Sequence, residues 1–174
     1  MHDPARPTPW TAERRTTSKS ELYHELAAEL DGLLTGELDV VANAANAVAA
    51  IYHALPELNW AGFYFLRGDE LVLGPFQGRP ACVRIPIGKG VCGTAAAERR
   101  TMVVPDVEAF PGHIACDTAS RSELVVPLFA GQGLLGVLDL DSPIVGRFDT
   151  ADQMGCELLA RVMEKRLAIG NQPP

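Results

Sequence analysis

The stretch "ELVVPLFAGQGLLGVLDLDS", residues 123–142, decides how this chain folds. Two runs rich in Val, Leu and Phe flank Gly131-Gln132-Gly133, and apolar runs joined by a short glycine turn read as a β-hairpin. Side chains alternate between the faces of a strand, so Asp139 and Asp141 share one face, about 7 Å apart. Leu138 and Leu140 point the other way and mark the core side. Glu123 opens the partner strand and can join the two aspartates.

Working outward, "NWAGFYFLRGDELVLGPF" (59–76) reads as another hairpin, turning at Arg67-Gly68-Asp69. Trp60, Gly62 and Tyr64 share one of its faces, with Phe63 and Phe65 on the other. "ACVRIPI" (81–87) is a third strand, "GKGVCGTAAAERR" (88–100) a turn entering a short helix, and "TMVVPDV" (101–107) a fourth strand. A long loop then runs from Glu108 to about Ser122. Ahead of the strands, "SELYHELAAELDGLL" (20–34) places Leu22, Leu26, Leu30, Leu33 and Leu34 at helical spacing, with Ser20 as cap. "LDVVANAANAVAAIYHAL" (38–55) is a second helix whose face of Val41, Ala45, Val48, Tyr52 and Leu55 ends at Pro56. Asp149 can cap a last helix, "TADQMGCELLARVMEKRLA" (150–168). This order predicts an α+β fold, an antiparallel sheet with helices on one side. One domain is expected over residues 19–169, between a flexible arm (1–18) and a tail (170–174).

The 174 residues suffice for one buried core, and a content of 47% apolar and 21% charged residues is ordinary for a globular chain. A formal charge of −7 without a Lys/Arg cluster argues against nucleic acid as a partner. No apolar run reaches the roughly 18 residues needed to span a bilayer, so no membrane association is expected. The arm lacks the apolar core of a secretory signal, and the cytoplasm is the expected location. Thiols stay reduced there, so a disulfide in this chain would be catalytic or redox-sensing before it was structural.

The thiols sit in unusual places. In "FPGHIACDTASRSELVVPL" (110–128), Cys116 lies in a polar loop between His113 and Asp117. Cys82 and Cys92 also fall at strand edges and turns. Cys92 and Cys116 stand near glycines and helix-start or turn geometry, where backbone N–H groups favour a thiolate, and Lys89, His113 and Arg121 can act in the same sense. An aromatic wall of Trp60 and Tyr64, three carboxylates and reactive thiols would suit a small cationic or zwitterionic ligand. Plainer readings stand beside this one. Asp139 and Asp141 also fit a solvated sheet face, Trp60 and Tyr64 fit packing, and Cys156 fits a helix core position. Cys82, Cys92, Cys116 and His113 offer a donor set for zinc, but without a C-x2-C knuckle the redox reading is preferred and no metal is expected.

"GPFQGRPACVRIPIGKGVCGTAA" (74–96), "FPGHIACDTASRSELVVPL" (110–128) and "GVLDLDSP" (136–143), in this order, resemble the free methionine-(R)-sulfoxide reductases, enzymes built on a single GAF domain. The similarity runs from about residue 20 to 165; Arg79 and Ile87 depart from it, where a Lys and an aromatic are expected. The resemblance implies a GAF-like α+β fold with a six-stranded antiparallel sheet flanked by helices, and a homodimer. It implies reduction of free methionine sulfoxide without a cofactor, with thioredoxin restoring the dithiol. Matched by motif, Cys116 is the nucleophile, Cys82 the resolving partner, and Cys92 a second recycling thiol or an alternative nucleophile. Glu123, Asp139 and Asp141 match carboxylates used for substrate binding and protonation, with Glu123 also counted as catalytic. Trp60 and Tyr64 fall where the family encloses the methyl-sulfur end of its substrate. The alternative is a non-catalytic GAF module that binds a small molecule or senses redox state.

Overall fold

The computed structural model of the protein describes residues 18–112 and 118–170, with the backbone alone for 168–170. Residues 1–17 of the expected arm, His113, Cys116 and the last four residues of the tail lie outside them. Among the described residues there are six strands: β1 (Trp60–Arg67), β2 (Glu70–Gly78), β3 (Arg84–Pro86), β4 (Met102–Val104), β5 (Ser122–Ala130) and β6 (Gly133–Ser142). They form one sheet in the order β3-β2-β1-β6-β5-β4, with every neighbouring pair antiparallel. The same residues hold four α-helices: α1 (Lys19–Leu33), α2 (Val40–Ala54), α3 (Gly90–Glu98) and α4 (Thr150–Gly170). Among the described residues no helix is long and apolar enough to cross a membrane.

Alternation along the strands divides the interior into two cores. Ala61, Phe63, Phe65, Leu124, Val126, Leu138 and Leu140 face α1, α2 and α4. Trp60, Tyr64, Val125 and Val137 face the other way, against Val91, Cys92, Ala95 and Ala96 of α3. The helices therefore do not all lie on one side, contrary to the expectation from element order. The short α3 covers the face that carries the acidic residues.

Local signals account for most boundaries. Gly68-Asp69 makes the two-residue turn of the first hairpin, with Gly68 at φ 65°, a left-handed conformation glycine adopts without strain. Asp149 accepts from the backbone N–H groups of Ala151 (2.8 Å) and Asp152 (3.1 Å), capping α4 as expected. Helix α1 starts earlier than predicted, because Ser18, not Ser20, forms a capping box with Glu21. Its inner face takes Tyr23 in place of Leu33, which stays exposed.

Helix α2 presents a different face from the predicted one. Ala44, Ala47, Val48, Ile51 and Leu55 are buried, while Val41 is 62% exposed and Ala45 lies outside. Alanine and valine stand on both sides of this helix, so spacing alone does not select a face. The third strand is also shorter than expected, Arg84–Pro86; ahead of it the Cys82 carbonyl accepts from the Tyr64 hydroxyl instead of a strand neighbour.

A buried ionic knot fastens α1 to α4. Asp152 pairs with Arg147 (2.9 Å) and Lys19 (2.6 Å) and accepts from the Tyr23 hydroxyl (2.9 Å). Arg147 also donates to the carbonyl of Pro56 at the entry to β1. Removing one partner of a buried pair strands the other charge. Asp152→Ala is expected to cost about 3 kcal/mol, a fall of roughly 10 °C in Tm. Asp149→Ala, which removes an exposed cap, should cost about 1 kcal/mol. Thermal unfolding of the two variants checks this ordering.

Candidate active site

The register of the three central strands brings the acidic residues together. Glu123 on β5 stands opposite Asp141 on β6, and Asp141 stands opposite Trp60 on β1. Asp139 lies between Val125 and Gly62, and Tyr64 is opposite Val137. Directly opposed residues have Cβ atoms about 4.5–5.5 Å apart. Trp60, Tyr64, Glu123, Asp139 and Asp141 therefore occupy one patch of one face, as the alternation pattern predicts.

The patch is not a solvated sheet face. Glu123 and Asp139 are each only 6% exposed, and Cys92, in the first turn of α3, is 3% exposed. The Cys92 thiol donates to Glu123 Oε1 at 3.8 Å. One ligand atom from each of Cys92, Glu123 and Asp139 lies within 4.8 Å of the others. Burial raises the pKa of Asp139 to about 7. Glu123 is raised well above the carboxylate range, first by burial and then by the charges of Asp139 and Asp141. The pair holds a proton near neutral pH because two carboxylates so close in a dry site cannot both ionise.

Cys92 differs from its sequence-based expectation. The helix start was expected to favour a thiolate, but burial and the neighbouring Asp139 and Glu123 push its pKa well up. The thiol stays protonated. Nor do the nearby cations reverse this. Lys89 is exposed, and Arg121 is directed to Asp106 and Glu108, at 3.6 Å from each. Cys156 is packed in the helix-side core as expected, its pKa pushed up to about 12 chiefly by burial.

The aromatic wall has a member that the sequence did not reveal. Trp60 stacks between Tyr64 (centroids 5.9 Å apart) and Phe76 (5.5 Å). The indole lies across Gly62, where a Cβ would collide with the ring and come within 2.7 Å of Phe76 Cβ. Trp60 Nε1 donates to the carbonyl of Arg79 (3.1 Å), and the Tyr64 hydroxyl donates to that of Cys82 (3.0 Å). Asp139 is the strongest of the nearby charges that add to burial in raising the Tyr64 hydroxyl pKa. Tyr64 therefore links the acid cluster to the segment carrying Cys82. Cys82 is disulfide-bonded, whereas Cys92 and Cys156 are free thiols. Asn59, also missed, ties the start of β1 to β6 and to the segment before β5, its backbone N–H donating to Asp141 O (3.1 Å) and its side chain to Ser120 Oγ (3.0 Å).

This fold and site define a GAF-domain protein: the GAF domain family matches residues 29–167. The chain is 50% identical to free methionine-R-sulfoxide reductase of Escherichia coli over 87% of its own length and 92% of that protein. It superposes with a TM-score of 0.87 on free methionine-R-sulfoxide reductase from Neisseria meningitidis in complex with its substrate, at 45% identity, covering 91% of this chain and 95% of the other. A putative GAF sensor protein from Burkholderia vietnamiensis is 61% identical, with a TM-score of 0.84 over 86% of this chain and 96% of its own. The chain belongs to the free methionine-R-sulfoxide reductases, a family of oxidoreductases.

The raised carboxyl pKa values make a prediction about stability. A carboxyl whose pKa is higher folded than unfolded favours the native state at low pH, and that contribution is lost as pH rises through the folded value. For Asp139 the window runs from its ordinary value near 3.8 to about 7. Glu123→Gln keeps the shape and cannot ionise, so it escapes part of this loss. Its Tm relative to the unsubstituted protein should therefore become more favourable between pH 5 and pH 8, as read by thermal unfolding at both. A difference that is the same at the two pH values would contradict the protonated pair.

Proposed function

We propose that this protein reduces free methionine (R)-sulfoxide to methionine. The observation that carries this reading is the proton-holding Glu123–Asp139 pair set against the aromatic wall of Trp60 and Tyr64. A sulfoxide oxygen is a poor leaving group and must be protonated as a thiolate attacks sulfur. A carboxyl kept neutral by burial and like charge can deliver that proton near pH 7. In this reading Trp60 and Tyr64 enclose the methyl-sulfur end, and Asp141 holds the substrate ammonium. Glu123 is the acid, with Asp139 sharing its proton. The R preference rests on family membership.

Cys116 is assigned the attack. Its thiolate takes the oxygen, the acid supplies a proton to it, methionine leaves, and Cys116 becomes a sulfenic acid. Condensation with the Cys82 thiol then expels water and closes a disulfide. That Cys82 is disulfide-bonded is in keeping with the redox role assigned to it. Cys92 is assigned the donor role it has toward Glu123, with a recycling role under more oxidised conditions. Thioredoxin reduces the disulfide, and the chain works in the cytoplasm as a homodimer. Exposed Leu33, Leu38 and Val41, where α1 gives way to α2, offer apolar surface for a second copy.

The test is to incubate the protein with free methionine sulfoxide and dithiothreitol and to measure methionine. Cys116→Ser is expected to abolish turnover. Cys82→Ser should release one equivalent of methionine and then stop when thioredoxin is the reductant. Glu123→Gln should lower kcat about 100-fold or more while changing KM little. Full thioredoxin-dependent activity in Cys116→Ser would remove that residue as nucleophile. The likeness to a putative GAF sensor supports a second reading, a redox-sensing module. Such a module would close its disulfide with peroxide and yield no methionine.

A further inference from the structure

We propose that Cys92, Glu123 and Asp139 form a binding site for a thiophilic divalent cation, Zn2+ being the expected one. The three side chains come from α3, β5 and β6, and one ligand atom of each lies within 4.8 Å of the other two. A tetrahedral zinc ion with about 2.3 Å to sulfur and about 2.1 Å to oxygen sets its sulfur and oxygen ligands about 3.6 Å apart. Cys92 Sγ is already 3.8 Å from Glu123 Oε1, so that edge of the tetrahedron is nearly in place.

A second observation points to a ligand. Among the described residues, the buried Asp139 Oδ1 has no hydrogen-bond partner, on a residue only 6% exposed. A buried acceptor left this way demands an explanation, and a cation supplies the missing partner. The environment agrees. Burial raises the pKa of both carboxyls, and the charges of Asp139 and Asp141 raise that of Glu123 further; a divalent ion would offset that repulsion.

One thiolate with two carboxylates selects the kind of ion. Sulfur favours Zn2+, Co2+ or Cd2+ and disfavours Mg2+ and Ca2+, and three protein ligands leave a fourth position for water. Coordination replaces the thiol proton of Cys92 and the proton shared by the carboxyl pair, both released to solvent. The donor set is distinct from one built on Cys82, which is committed to a disulfide. An ion here would occupy carboxylates that the reductase reading assigns to substrate and acid, and so compete with turnover. That consequence rests on the reading; the binding does not.

The experiment titrates Co2+ into the protein with the Cys82 disulfide closed and no reductant present, following the thiolate-to-cobalt charge-transfer band in the near ultraviolet. The expected result is a band saturating at one equivalent, displaced by Zn2+ and unaffected by excess Mg2+. It should be absent in Cys92→Ala and require at least tenfold more Co2+ in Asp139→Asn. The absence of a thiolate band, or one that persists in Cys92→Ala, would overturn the proposal. If Cys92→Ala fails to fold by circular dichroism, Asp139→Asn decides: unchanged affinity overturns the site and a tenfold loss supports it. Because the readout is optical, its failure is separate from any failure to form methionine.

Discussion

Burying Glu123 and Asp139 against Cys92 under α3 sets the conditions for the rest of the site. Three acidic groups withdrawn from water in one hollow cannot all ionise, and the arrangement persists because protons stay on it. What forces the burial is the opposite face of the same strands. Leu124, Leu138 and Leu140 are fully buried against the helices, and they alternate with Glu123, Asp139 and Asp141. A one-residue slip would turn the acids into the helix-side core and the leucines toward α3. The hydrophobic stabilisation of the fold thus fixes where the acids point.

The aromatic residues bind the second face to its loop. Trp60 and Tyr64 pack with the core under α3, yet each keeps one polar atom, and both atoms bond to backbone carbonyls between β2 and β3. Buried aromatic rings of this kind usually find a partner for their polar tip. Here the partners are Arg79 and Cys82, which explains why regular pairing of β3 begins only at Arg84. The position of Cys82 relative to the acids is therefore set by side chains rooted in β1. A change of ring at Trp60 or Tyr64 reaches both the wall and the segment that carries the thiol.

The sequence made legible those features that depend on near neighbours. Both hairpins, the Gly68 and Gly131 turns, the Asp149 cap and the alternation of Asp139 and Asp141 with leucines follow from two- to four-residue patterns. The side of the sheet taken by α3 does not, because Gly-Val-Cys-Gly-Thr-Ala-Ala-Ala offers no strong apolar stripe. Neither does the face of α2, where alanine occupies inner and outer positions alike. Phe76 was hidden by a bulge. Counting outward from the Gly68 turn places Pro75 opposite Gly62, but the register shifts between Gly62 and Tyr64 and delivers Phe76 there instead.

Cys92 illustrates how a tertiary effect overrides a local one. A helix N-terminus favours a nearby anion by about 0.3–1 kcal/mol at the surface. One pKa unit corresponds to about 1.4 kcal/mol, and desolvation of a fully buried group moves a pKa by up to about 3–5 units. Burial with two acids adjacent wins, so the proton remains. The same balance bears on the proposed chemistry. An attacking thiolate at Cys116 would bring another negative charge toward the carboxyl pair and hold its proton more firmly until the sulfoxide oxygen can accept it. In that proposal the products would be a neutral sulfenic acid and a neutral thioether, and only the carboxylate grip on the ammonium would oppose methionine release. With the thiol at position 92 protonated, the acid pair has no thiolate at its side to take up its proton.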